Sequence, residues 1–360
     1  MGRNPKLRIR LNKIQDNASK VVDLCKSAKI EIGGVTKGVC GNISVARAMI
    51  DGGCSFLADS RIKNIINLKK WNLDVPFMLL RLPMPSEIDE VVSLVDSTLV
   101  SMPEVVKLID EACRIQKSYH DVIVMIDVGD LREGIWPSES EIENMAKTLK
   151  GCQRVRCMGV GTNVGCFGGV LPSPENLDKL VQVGRELEEL LGYKLEIYSG
   201  GGTSSLALVE KGIMPLGINQ LRVGEAILLG SDVTGRRSIP YLHRDTMVLE
   251  AEVIELGRKP SVPIGAVGAD AFGNVPTFVD KGVRLRGILA IGKQDVRLKG
   301  ISPLQEGVYV LGASSDHLIL DLEELAGEIT IGSTISFKVD YGAMLAATTS
   351  PYVKVVIEER

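Results

Sequence analysis

The chain has 360 residues, 45% of them hydrophobic and 24% charged, which is enough for one large α/β domain and a smaller one, each with its own core. A formal charge of −3 without any long Lys/Arg block argues against a nucleic-acid or membrane surface as the main partner, since both need clustered positive charge. Stretches of about 18 consecutive apolar residues are missing, as is the apolar core of a leader in Met1-Gly2-Arg3-Asn4-Pro5-Lys6, so a cytoplasmic protein with a small-molecule partner is expected.

The seven cysteines, at 25, 40, 54, 113, 152, 157 and 166, are odd in number and contain no Cys-x-x-Cys pair, which supports neither a disulfide framework nor a zinc ribbon. Only Cys40 and Cys166 have neighbours that draw notice. His120, His243 and His317 are far apart and form no ligand pattern, so no metal is expected.

From residue 13 to 230, short apolar runs alternate with helix-period stretches, the pattern of parallel strands joined by helices. Strands are predicted at 32–36, 56–58, 77–80, 97–100, 122–127, 155–161, 195–199 and 220–223, with a helix such as 178–191 between neighbours. Eight strand–helix units in about 220 residues fit a (β/α)8 TIM-like barrel better than a doubly wound sheet. Beyond residue 230 helical periodicity stops, and β-rich runs at 247–256, 284–291, 308–311, 318–320 and 334–339 alternate with Gly, Pro and Asp turns. The predicted domains are therefore a barrel over 1–235 and an all-β domain over 236–360. The alternating segment 7–10 either adds a strand to the β domain, drawing residues 1–12 with it, or frays.

In such a barrel the chemistry sits at the C-terminal ends of the strands. The first predicted strand ends Gly33-Gly34-Val35-Thr36-Lys37-Gly38, where a lysine after an apolar run is partly desolvated and drawn toward nucleophilic use, although a solvated strand-end lysine gives the same pattern. The fifth ends Asp127-Val128-Gly129-Asp130-Leu131-Arg132-Glu133-Gly134, a guanidinium beside three carboxylates, which also reads as a surface ion-pair cluster. The seventh ends Ser199-Gly200-Gly201-Gly202-Thr203-Ser204-Ser205, whose bare amides and hydroxyls suit a phosphate or simply a tight turn. The eighth delivers Leu221-Arg222-Val223-Gly224-Glu225, and phosphate sites in these barrels recur after strands seven and eight. A phosphate-bearing cofactor beside a desolvated lysine suggests pyridoxal 5′-phosphate held as a Schiff base, with a sugar-phosphate aldolase as the competing barrel.

In order along the chain, Val35-Thr36-Lys37, Asp127-x-Gly129-x-x-Arg132-x-Gly134, Gly161-Thr162-Asn163, the Ser199 glycine turn and Arg222-x-Gly224 resemble the alanine racemase family of fold-type III pyridoxal-phosphate enzymes, over nearly the full length. Within that family the alanine/ornithine racemase subgroup is the most similar. The resemblance implies an isomerase that racemises an amino acid, ornithine or another basic one ahead of alanine. It also implies a homodimer with shared active sites. Lys37 then carries the cofactor and serves as base on one face. Arg132 touches the cofactor's phenolic oxygen, and Asn163, Ser199, Gly201, Thr203, Gly224 and Glu225 line the cofactor. Arg222 faces the pyridine nitrogen, where an always-charged guanidinium disfavours ring protonation and so favours simple return of the α-proton over deeper chemistry.

The chain departs from the family where a tyrosine from the second subunit serves the opposite face: it reads Gly268-Ala269-Asp270-Ala271-Phe272-Gly273. Asp270 is then a candidate base or a counter-charge for a substrate ammonium, against the plain role of a turn aspartate. Tyr341 is a further candidate for the missing phenol. Asp316, in Ser314-Ser315-Asp316-His317, matches a family residue near the substrate carboxylate, whereas His317 does not match. Gly38-Val39-Cys40-Gly41 lacks the usual phosphate-binding tyrosine, and Asn163 replaces a usual histidine. A D-amino-acid aldolase or dehydratase, and a non-catalytic pyridoxal-phosphate-binding protein, are the alternatives on this scaffold.

Overall fold

The computed structural model describes residues 5–358. The chain divides into two compact units, Leu11–Arg244 and the described residues outside that range.

In the first unit, β2 (Glu31–Val35), β3 (Phe56–Asp59), β4 (Phe77–Leu79), β5 (Ser97–Val100), β6 (His120–Met125), β7 (Val155–Gly161), β8 (Ile197–Ser199) and β9 (Gln220–Val223) form a closed parallel barrel. It closes through β2 against β9, with Gly33 opposite Arg222. Inside, Val35, Phe56, Ala58, Met78, Leu99, Ile123 and Met125 pack together. Glycine at 33 is required by this filling, because a Cβ there would lie 2.2 Å from the Phe56 ring. The helices α1 (Leu11–Lys26), α2 (Ile43–Asp51), α3 (Ile62–Lys69), α4 (Ile88–Leu94), α5 (Pro103–Gln116), α6 (Glu139–Gly151), α7 (Pro174–Leu191), α8 (Leu206–Glu210) and α9 (Glu225–Leu229) belong to the same unit. Longer than the predicted 178–191, α7 starts at a Ser173 cap whose hydroxyl accepts from the Asn176 amide while the Asn176 side chain accepts from the Ser173 amide.

This unit ends at Arg244 rather than at 235. A two-residue ladder of β10 (Ser231–Asp232) and β11 (Arg237–Ser238) folds the chain back, and Asn17 on α1 then pins the His243 backbone, accepting from its N–H at 2.7 Å and donating to its carbonyl at 3.0 Å.

The second unit is a sheet in the order β14 (Ile301–Pro303), β17 (Thr334–Val339), β12 (Met247–Pro260), β13 (Val283–Leu289), β16 (Leu318–Asp321), β15 (Tyr309–Ala313). The first strand, β1 (Lys6–Arg10), joins it antiparallel to β12 and parallel to β18 (Lys354–Glu358), burying Leu7 and Ile9. The N-terminal segment is thus a paired strand. Residues 261–282 form a strandless connection, and α10 (Tyr341–Thr349) is a helix where none was expected. Its Gly-Ala-Met-Leu-Ala-Ala-Thr-Thr composition carries no apolar stripe, so periodicity could not find it. No helix among the described residues is long and apolar enough to cross a membrane.

Candidate active site

At the end of β2 the chain turns into a short 3-10 segment, Lys37–Val39, stopped by Cys40 and Gly41 in left-handed conformations (φ 51° and 63°). A buried carboxylate fixes this exit. Asp59, at the end of β3, accepts from the Thr36 hydroxyl at 2.7 Å, the Arg61 amide at 2.9 Å and the Asn64 side chain at 3.0 Å. Burial raises the Asp59 pKa and lowers that of half-buried Lys37, whose ammonium is disfavoured further by Arg132 and restored in part by Cys166, Asp59 and Glu133.

The loop after β6 is shaped by Asp127, which accepts from the Gly129 amide at 2.8 Å and the Leu131 amide at 3.2 Å. It returns through Gly134 at φ 132°, where a Cβ would sit 2.5 Å from the Asp127 nitrogen. Between these anchors Arg132 donates through Nε and Nη2 to the Glu133 carboxylate, and its Nη1 lies 2.7 Å from Cys166 Sγ. Asp130 ties this loop to the one after β7, accepting from the Phe167 amide at 2.9 Å and the Val170 amide at 3.1 Å.

Arg222, on β9 and only 5% exposed, is the most buried cation of the site. Its guanidinium donates to Ser199 Oγ, to the Thr162 carbonyl at 2.7 Å and to Asn163 Oδ1 at 2.9 Å. All three acceptors are neutral, and burial brings its pKa down to about 10. Beside it the glycine turn is held open: Arg222 donates its amide to the Gly201 carbonyl at 2.9 Å, and Gly201 has φ 98°. A Cβ on Gly202 would lie 2.8 Å from the Arg222 carbonyl oxygen, and one on Gly201 2.9 Å from Ser205 Oγ. The amides of Gly201 and Gly202 meet no acceptor among the described residues, which suits them to an anionic group. Thr203 Oγ1 accepts from the Ala226 amide at 3.1 Å, next to Gly224. The Glu225 carboxylate is taken up by Ser231 Oγ at 2.7 Å and the Val233 amide at 3.0 Å, so it serves the turn after α9. In the same way Ser199 spends its hydroxyl on Arg222.

The remaining candidates lie in the β unit. Asp270, in the 261–282 connection, accepts from the amides of Asn274 at 2.8 Å and Phe272 at 2.9 Å, and from Lys293 Nζ at 3.4 Å. The Asn274 amide first, then that of Phe272, holds its carboxyl below the usual range. That is the geometry of a turn aspartate and makes it a weak base. Asp316 is exposed and accepts from the Gln294 side chain and Ser315 Oγ, while the exposed His317 ring sits 3.4 Å from Ser314 Oγ. Tyr341 opens α10, whose cap is Asp340, accepting from the Ala343 amide at 2.7 Å. Among the described residues no three His, Cys, Asp or Glu side chains group to hold a metal.

Two residues escaped the sequence reading. Asp59 is the last residue of β3 and Lys37 lies just beyond β2, so the strand-end rule applied to the second strand finds it. Glu133 was visible only as one of three acids beside Arg132; its link to Asn163 is a through-space contact.

Residues 9–232 match the model of the alanine racemase N-terminal domain. Over 98% of both chains, the sequence is 45% identical to the lysine racemase of Thermotoga maritima. The chain belongs to the alanine racemase family. It is also 39% identical to the ornithine racemase of Acetoanaerobium sticklandii over 97% of this chain and 98% of that one. The alanine racemase of Bacillus anthracis shares the fold, with a TM-score of 0.77 at 18% identity, 100% of this chain and 96% of that chain covered. As a member of the alanine racemase family the protein is an isomerase, an amino-acid racemase that depends on pyridoxal phosphate. The donor set fits that group: an amine with a depressed pKa, a buried guanidinium bonded only to neutral acceptors, and a glycine turn with open amides.

Proposed function

We propose that this racemase acts on lysine and ornithine, amino acids that end in a side-chain ammonium, in the cytoplasm. The full-length identity to a lysine racemase and an ornithine racemase supports that substrate class. The observation that carries the assignment of residues is the convergence on one barrel mouth of Lys37, just beyond β2 and with its pKa lowered by burial, and the buried Arg222 on β9, the strand paired with β2.

Pyridoxal phosphate supplies stabilisation of negative charge at the substrate α-carbon. Lys37 is the amine that would hold the cofactor, and its Nζ is the group that would take or return the α-proton on one face. Burial keeps Nζ neutral over a wider pH range, as that role needs. Arg222 donates hydrogen bonds and offers no readily lost proton. Arg132 and Asn163 would complete the polar wall, and the Gly201–Thr203 turn with Gly224 would receive the phosphate.

For the opposite face, Tyr341 is the stronger candidate, because the Asp270 carboxylate is engaged by its own turn. We place Tyr341 and Asp316 at the mouth of a second copy, which makes the active site a property of a homodimer.

The test is incubation of the purified holoenzyme with L-lysine, L-ornithine and L-alanine separately, followed by chiral chromatography. The D-enantiomer of the two basic amino acids, formed without keto acid or ammonia, is expected; faster turnover of alanine would contradict the substrate assignment.

A further inference from the structure

Arg222 forms no ion pair among the described residues, and each of its hydrogen bonds ends on a neutral oxygen. A buried guanidinium without a carboxylate is costly unless a counter-charge lies close by. The nearest one reaches it through a single amide: Asn163 accepts from Arg222 through Oδ1 and donates through Nδ2 to Glu133, whose carboxylate also takes Arg132. A side-chain amide has one accepting end and one donating end. Flipped, Asn163 would turn its NH2 toward the Arg222 donors and its oxygen toward the Glu133 carboxylate, two repulsive contacts in place of two attractive ones. The acid at 133 therefore favours the orientation of Asn163 that accepts from Arg222, and Asn163 joins Ser199 and the Thr162 carbonyl in holding the guanidinium.

We propose that Glu133 is a positioning residue for the cofactor site: through Asn163 it orients Arg222, and it is the shared counter-charge of Arg132 and Arg222. The electrostatics run the same way, since Glu133 stabilises the charged forms of Lys37, Arg132 and Arg222 alike. Glutamine at 133 has the same shape but no net charge and a donating end of its own, so it fixes neither the amide nor the cations. The proposal rests on the reading that Asn163 and Arg222 face the bound cofactor.

The test is a double-mutant cycle in the affinity of the apoprotein for pyridoxal phosphate, using Glu133→Gln, Asn163→Ala and the pair, with thermal melting of each apoprotein as the control for folding. Glu133→Gln and Asn163→Ala are each expected to weaken binding about tenfold, and the pair by much less than the product of the two, because both act through one contact. Without cofactor, Glu133→Gln should also move the midpoint of Lys37 acylation to lower pH, which a merely structural loop residue would not do. Additive losses, no loss in Glu133→Gln, or an unmoved acylation midpoint would overturn the proposal while leaving the cofactor site intact. Normal binding by Asn163→Ala would remove the site reading and the proposal with it. Should Glu133→Gln not fold, Glu133→Asp, which keeps the charge but withdraws it by one methylene, takes its place in the cycle.

Discussion

Lys37 leaves β2 where three constraints meet: the Thr36 hydroxyl tied to Asp59, the left-handed Cys40–Gly41 stop, and burial of its own stem. Its amine is therefore expected to titrate below the ordinary lysine value of about 10.4. Acylation of the apoprotein over a pH series, read at the Lys37 peptide by mass spectrometry, should show Lys37 reacting at lower pH than the surface lysines. Titration alongside them would mean that burial does not govern the site. Gly134 is the second residue on which geometry depends. At φ 132°, with the Asp127 backbone 2.5 Å from a would-be Cβ, Gly134→Ala has to move the loop that aims Arg132. A loss of about 2 kcal/mol of stability, read by denaturant titration, is expected together with weaker cofactor binding. The lysine and the two arginines were legible because they follow or sit in apolar runs that end at one barrel face. Asp59 and Glu133 were not singled out, because their importance lies in bonds to residues 23 and 30 positions away.

Among the elements, β6 begins with His120, which is 2% exposed, has its Nε2 2.8 Å from Thr98 Oγ1, and is pushed by burial from 6.5 down to about 4. A histidine kept neutral in the fold but free to charge when unfolded gives stability that is complete above pH 6.5 and is lost as pH falls toward 4. The loss is about 3 kcal/mol at roughly 1.4 kcal/mol per unit. Melting curves between pH 7.5 and 4 should therefore fall less steeply for His120→Gln than for the wild type, and equal slopes would contradict the assignment. At this scale the eight barrel strands were readable in order, since buried parallel strands are near-continuous apolar runs. In the β unit less was legible. The segments of β14, β18 and α10 were missed, being a three-residue strand, a terminal strand that needs β1 as partner, and a helix without an apolar stripe. The boundary at Arg244 was set by Asn17, a polar contact across more than two hundred residues that no local pattern announces.

For the whole molecule, the proposal of a shared active site predicts complementation. Lys37→Ala and Asp316→Ala enzymes, each inactive or nearly so, should regain about a quarter of wild-type activity when mixed and allowed to exchange subunits, because half of the dimers then carry one intact site of two. No recovery after proven exchange would place both residues in one subunit's site. The family and its fold were legible from the five ordered motifs, since barrel topology alone brings their residues to one end of the strands. The substrate was less so: the motifs carry residues for the cofactor and none marked for a distal ammonium. The most direct test of the central claim is borohydride reduction of the cofactor-loaded enzyme followed by peptide mapping. The reduced cofactor is predicted on Lys37 alone and absent from Lys37→Ala; a covalent adduct on another lysine, or one that persists in Lys37→Ala, would contradict the account.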